Sequence, residues 1–279
     1  CTPSKIVDLD DETYLHDGMA LPCNQPKDPV MSRIALWSKQ PQRCRFLYID
    51  LGGNIGVQPR KFFEPEKYPQ GKMLPFFDKH FGPAADRRRE GCVISFEGNT
   101  HHFKSHLNEI EKCYNSRGWR IAFFNYAVSN SDEGTVDFYS NPKSQFEDWG
   151  AGINKDLVKV ETDQQHTAPT KISVPRINIA RIITQTVALL HPDRVFMKMD
   201  IEGSEFLAMP KMVTDGAMCN DIVQAMVVEW HEPWAPKNSP SRQAMLQMLQ
   251  NQTKCTPSKI VDLDDETYLH DGMALPCNQ

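Results

Sequence analysis

The sequence predicts an α/β fold built on a doubly wound, mainly parallel sheet covered on both faces. Short apolar runs alternate with amphipathic, helix-like stretches along the whole chain. Several of those runs end in glycines or acids, as in "YIDLGGNIG", "VISFEGN" and "MKMDIEGSE". Hydrophobic residues at 40% and charged residues at 24% supply enough apolar surface for a sizeable core. Right-handed crossovers between parallel strands then restrict the topology to doubly wound forms.

Taken in order, "PVMSRIALWSKQ" is an amphipathic helix stopped by Pro41. "CRFLYIDLGGNIG" is a buried strand entering a tight turn and a helix start. Residues 64–82, rich in Pro, Phe and Lys, read as a loop with a short helix, and "DRRRE" as a solvated loop. The second strand is "CVISFEGN". In the helix after it, Phe103, Leu107, Ile110 and Tyr114 share one face. "WRIAFFNYAVS" is the third strand and "GTVDFYS" a hairpin strand, followed by a polar, irregular stretch over 141–170 with the length of a functional loop or lid. Helix, strand, helix and strand follow in "NIARIITQTVALL", "RVFMKMDIEG", "SEFLAMPKMVTDG" and "IVQAMVVEWHE", and "SRQAMLQMLQNQ" is the last helix.

A net charge of −5 without a basic stripe speaks against a nucleic-acid partner. No stretch reaches the roughly 18 apolar residues of a membrane span, and no signal peptide is visible. Cys44, Cys92, Cys113, Cys219, Cys255 and Cys277 show no C-x-x-C spacing, so no metal site is expected from them. A pairing of Cys255 with Cys277 across a hairpin would imply an oxidising compartment, and the sequon at Asn251 points the same way. The expected location is the secretory pathway or Golgi lumen, with the cytoplasm as the alternative.

Ligands of open α/β sheets bind beyond the carboxyl ends of the strands, where strand order reverses. There, Gly52, Gly53 and Gly56 let backbone approach a ligand, while Asp50 before them is awkward for a pyrophosphate and suits an ammonium. Glu97 at the next strand tip can accept both hydroxyls of a ribose, or cap a helix. Asp200, Glu202 and Glu205 cluster at the fourth tip, and Glu205 suits the first turn of the following helix. Glu229, His231 and Glu232 end the fifth strand, and His231 reads as a general base or as a structural histidine. His101 and His102 lack a partner at ligand spacing and read as non-metal.

Together, "IDLGGNIG", "SFEGN", "FNYAVSN", "MKMDIEGSEF" and "VVEWHE" resemble the FkbM-type S-adenosylmethionine-dependent methyltransferases, over about 45–231. The "GA-x-C" stretch at 216–219 is similar to a divergent eukaryotic branch. The resemblance implies a class I, Rossmann-like methyltransferase sheet of seven strands, ending in an antiparallel hairpin. It implies that Asp50, Gly52, Asn54 and Gly56 surround the methionine part of S-adenosylmethionine, and that Glu97 takes its ribose. The loop holding Asn125 and Ala127 would lie against the adenine, and Asp200 would face the methionine amino group or the substrate. Asp200, Glu202 and His231 are the candidates to accept a proton from a small-molecule or glycan hydroxyl. The rival readings keep the fold as a silent cofactor- or partner-binding module, or use a nicotinamide nucleotide.

One segment, "CTPSKIVDLDDETYLHDGMALPCNQ", occupies both Cys1–Gln25 and Cys255–Gln279. The second copy falls where the terminal hairpin of such a sheet belongs, with "SKIVDL" and "YLHDGMALP" as its strands and "DDET" as the turn. The expected division is a redundant or swapped copy over 1–25 and a single methyltransferase domain over 26–279.

Overall fold

The computed structural model describes residues 28–141, 148, 150–155, 169–268 and 271–278. The copy at 1–25 and most of the 141–170 stretch lie outside the described residues.

A six-stranded parallel sheet forms the centre, in the order β3-β2-β1-β7-β8-β9. Its strands are β1 (Phe46–Leu51), β2 (Gly91–Phe96), β3 (Arg120–Phe124), β7 (Arg194–Met199), β8 (Ala225–Val228) and β9 (Lys259–Asp262). Strand order reverses between β1 and β7, which are paired in register from Phe46↔Arg194 to Leu51↔Met199. β4 (Ala127–Ser129), β5 (Thr135–Ser140) and β6 (Thr170–Asn178) form a small mixed sheet in the order β4-β6-β5. β6 is a strand that periodicity does not announce: Pro175 interrupts it, and few of its residues are buried.

Alternation along β1 divides the core. Leu47, Ile49 and Leu51 pack beneath α1 (Pro29–Ser38), α7 (Ile179–Leu190), α8 (Glu205–Thr214) and α9 (Arg242–Gln250). Tyr48 faces the other layer, built on α2 (Val57–Phe63), α3 (Leu74–Phe81), α4 (Ala84–Glu90) and α6 (Asn108–Ser116). There its ring meets Phe62, Phe77 and Phe196. A short α5 (Thr100–His102) and a π-helical turn (Phe103–Leu107) lead into α6.

Three expectations are corrected here. "DRRRE" is helical, not a solvated loop: it closes α4, and Arg87 is fully buried. The Arg87 Nε donates to the Phe62 carbonyl at 2.8 Å, and its guanidinium pairs with Asp78 at 2.6 Å. The antiparallel seventh strand is not found among the described residues, because β9 pairs directly and in parallel with β8. After β9 the chain instead lies against α2 as a C-terminal strap, in contact with Gln58, Arg60 and Lys61. "DDET" is accordingly no hairpin turn. Asp265 is buried, pairing with the Lys61 Nζ at 2.9 Å and accepting the Met73 N–H at 2.9 Å. Farther along, Asp271 pairs with Arg60 at 2.5 Å and accepts the Tyr68 hydroxyl at 2.6 Å. These ion pairs draw the segment onto the helices and away from the sheet edge.

The disulfide expectation changes with it. Cys255 and Cys277 do not pair with each other: the disulfides are Cys44–Cys92, Cys113–Cys277 and Cys219–Cys255. Three disulfides are compatible with an oxidising compartment. No described helix is long and apolar enough to cross a membrane. Tryptic mapping without reductant is expected to link the Cys113 peptide to the one ending at Gln279. The peptide carrying Cys23 ends at Lys27 and so differs in mass. Linkage of Cys113 to the Lys27-terminated peptide instead would show that the first copy holds the strap position.

Candidate active site

The tips of β1, β2, β7 and β8 meet at one cleft, and the backbone sets its shape. Gly52 has φ +86°, and a Cβ there would stand 1.7 Å from the Asp200 carbonyl oxygen, so the β1 and β7 tips approach as closely as only glycine allows. The Gly52 and Gly53 N–H groups donate to the Phe96 carbonyl at 3.0 and 3.1 Å, and the Asp200 N–H donates to the Leu51 carbonyl at 2.9 Å. Asn54, at φ +46°, turns its N–H onto the Glu97 carboxylate at 2.6 Å.

Two cavities open from this junction and share Gly52, Asn54, Asp200 and Glu202. The first runs along the β2 and β4 side, between Glu97 and the apolar walls of Phe96, Ala127, Val128 and Phe138. Phe138 arrives on β5, so the small sheet closes this end. The second runs toward β8 and the C-terminal strap, past Gln58, Lys198, Glu229 and Glu266.

Glu97 accepts the Asn54 and Asn99 N–H groups, both at 2.6 Å. Burial pushes its pKa up to about 7 against those two bonds. Each of its oxygens keeps a lone pair for a further donor. Burial likewise raises Asp50 to about 6, although the Lys198 charge and the Ser95 and Tyr48 hydroxyls favour its ionised form. Those hydroxyls occupy both Asp50 oxygens, at 2.9 and 3.0 Å. Asp50 lines neither cavity and supports the glycine turn from below.

Asp200 places Oδ2 at 2.6 Å from the Lys198 Nζ. Burial opposes the charge on Lys198, but Asp200 and Asp50 outweigh it and raise its pKa. His231 stands among four carboxylates from two segments, 200–205 and its own strand end. Its Nδ1 is 3.0 Å from Glu205, and its Nε2 lies 3.4, 3.5 and 3.8 Å from Glu202, Glu229 and Asp200. Burial opposes its protonation, but the hydrogen bonds of Glu205 and Glu229 and the charge on Glu202 push its pKa up to about 11. The surrounding carboxylates thus favour the imidazolium, which weighs against His231 as the base near neutral pH. Glu202, held at φ +54° and lining both cavities, has a pKa raised by burial well above the usual carboxylate range.

The remaining expected residues take other places. Gly56 caps α2 in the left-handed region, and a Cβ there would meet Ile110 Cδ1 at 2.6 Å, so it serves packing. Asn125 donates to the Glu97 and Gly98 carbonyls at 2.8 and 3.2 Å, and lines neither cavity. Its neighbour Ala127 does line the first. Lys198, Gln58, Glu266 and Asp148 escaped sequence reading. Lys198 sits inside an apolar strand run, Gln58 lies on the helix just after the glycine turn, and Glu266 and Asp148 reach the cleft from positions remote in sequence. His102 also lines the first cavity, which its doublet with His101 does not reveal.

Residues 50–255 match the family described as Methyltransferase FkbM domain. The chain belongs to this FkbM methyltransferase family. The match to the FkbM domain spans every strand tip that builds the cleft and stops short of β9 and the strap. No match was found among curated proteins or solved structures.

Proposed function

We propose that this FkbM methyltransferase uses S-adenosylmethionine to methylate a hydroxyl of a small molecule or glycan, within the secretory pathway. The observation that carries the reading is the junction at Gly52, Asn54, Asp200 and Glu202, where two cavities meet over one glycine cradle. Bound S-adenosylmethionine would supply an already activated methyl group, so the chain has chiefly to align the acceptor and receive its proton.

The residues present fit that donor. Gly52 lines both cavities, and its missing Cβ lets the Asp200 tip close beside it, a junction that suits the methionine part beside Asn54. Glu97 is placed to accept the ribose hydroxyls at the tip of β2, and Phe96, Ala127, Val128 and Phe138 form an apolar slot for the adenine. Asp200 lines both cavities where donor and acceptor would meet, and its carboxylate is the one proposed to take the acceptor proton.

Calorimetric titration with S-adenosylmethionine, S-adenosylhomocysteine and NAD tests the reading, followed by labelled methyl transfer to a panel of glycans and small alcohols. Binding of NAD alone would overturn it. Glu97 adds a pH signature. Ribose hydroxyls donate to its ionised form, so S-adenosylhomocysteine affinity should rise by up to about tenfold per pH unit below the pKa and level off above it. That pKa is about 7. Glu97→Gln should bind more weakly and lose this dependence. The stability effect has the opposite sign. A folded pKa above the unfolded one means that the Glu97 contribution is full at acid pH and is lost as pH rises through about 7.

A further inference from the structure

Asp200, Glu229 and Glu266 line the second cavity, and His231 and Asp264 stand beside them in two clusters of potential ligands. Single oxygen or nitrogen atoms of Asp200, Glu229 and His231 lie within 4.8 Å of one another, and so do those of Glu229, Asp264 and Glu266. The first trio combines two carboxylates with an imidazole, the donor set that suits divalent first-row ions. Asp200 divides its oxygens, with Oδ2 on Lys198 and Oδ1 toward the His231 Nε2. Glu205, fully buried, accepts the Ile201 N–H at 2.9 Å and holds the His231 Nδ1 at 3.0 Å. A carboxylate on the far nitrogen of an imidazole is the arrangement that orients a metal-binding histidine.

An independent sign comes from Gln58 on α2, which lies outside the trio. Its Nε2 donates to the Asp265 carbonyl at 3.1 Å, which fixes the amide orientation. Its Oε1 is buried without a partner, while the residue lines this same cavity and is only 6% exposed. A buried acceptor left unmet is costly, and a ligand that brings donors into the cavity removes the cost. Water bound to a metal ion is such a ligand.

We propose that Asp200, Glu229 and His231 hold a divalent metal ion of the Mn2+ type at the acceptor end of the cleft, with its remaining positions open to water and to acceptor oxygens. The role toward an acceptor rests on the methyltransferase reading; the metal site does not. Binding releases the His231 Nε2 proton to solvent, and the ion then meets the carboxylates that surrounded it. Glu229 belongs to both trios, so Asp264 and Glu266 extend the site toward the strap and favour hydroxyl-rich acceptors.

The test uses the full chain with no methyl donor or acceptor present. Mn2+ is titrated and followed by calorimetry and electron paramagnetic resonance. The expected result is one Mn2+ per chain, with a nitrogen coupling from one imidazole that disappears in His231→Ala. Glu229→Gln should weaken binding by about 10–100-fold, and thermal scans of each variant report its folding. Because the wild-type titration stands alone, a variant that fails to fold leaves the test intact. Absence of Mn2+ binding up to millimolar concentrations, or binding without nitrogen coupling, overturns the proposal. Mn2+ binding in a chain that transfers no methyl group would support the metal site and count against the activity.

Discussion

Gly52→Ala is expected to abolish donor binding and to destabilise the fold at the same time. The new Cβ would stand 1.7 Å from the Asp200 carbonyl oxygen and 2.8 Å from its carbon, both backbone atoms. Neither side can yield cheaply. Gly52 is tied to the Phe96 carbonyl and Asp200 to the Leu51 carbonyl, so separation breaks the bonds that close two strand tips. A left-handed backbone and an overpacked contact together should cost about 3 kcal/mol or more, and donor affinity should fall beyond about 100-fold. Gly118→Ala is the control: it shares the left-handed backbone, with φ +78°, but a Cβ there meets nothing within 4 Å. It should cost about 1–2 kcal/mol and leave affinity unchanged. Calorimetry with S-adenosylhomocysteine and thermal denaturation measure both effects. Unchanged affinity in Gly52→Ala would remove the glycine cradle from the donor site.

Asp265→Ala should be the most destabilising change in the C-terminal strap, on the rim of the second cavity. Lys61 is fully buried, and its Nζ meets Asp265 at 2.9 Å and Thr267 at 3.0 Å. Removing the carboxylate leaves a buried ammonium without its counter-charge, a loss of about 3–5 kcal/mol. For a chain of this size that lowers Tm by roughly 2–4 °C per kcal/mol. Lys61→Met with Asp265→Leu removes both charges together and should recover much of the loss. Acid acts on the same pair. Burial works against the charge on Asp265, yet Thr267 and Lys61 hold its pKa below the usual carboxylate value. Its contribution is therefore present above the unfolded pKa and lost as pH falls through the folded one. Denaturant unfolding of the single and double variants at neutral pH measures the difference. Equal stability of the wild type and both variants would show that the strap is not held by this pair.

Much of the cleft was legible because each strand announces its own end. A buried apolar run followed by glycine or an acid is a local pattern, and "IDLGGNIG", "SFEGN" and "MKMDIEGSE" place their tips without long-range information. Glu97, Gly52, Asn54, Asp200 and Glu202 accordingly reach the cavities. Roles decided by partners were not legible. His231 sits at its expected strand end, but four carboxylates from two segments surround it, three of them brought from 200–205 by the fold. Asp50 and Asn125 belong to motifs at the cleft, yet their side chains are spent on Tyr48, Ser95 and backbone carbonyls.

The repeated segment shows the same division. By itself the sequence determined the parallel sheet, the order of its tips and the identity of the duplicated ends, since apolar periodicity and exact repetition are properties of the chain alone. Only the tertiary structure decided that the second copy leaves the sheet after β9 and straps α2, joined to α6 through Cys113–Cys277. Its acids look alike in sequence, whether destined for a solvated turn or for burial. What separates them is a cation waiting at the right place, and Lys61 and Arg60 lie about 200 residues away along the chain.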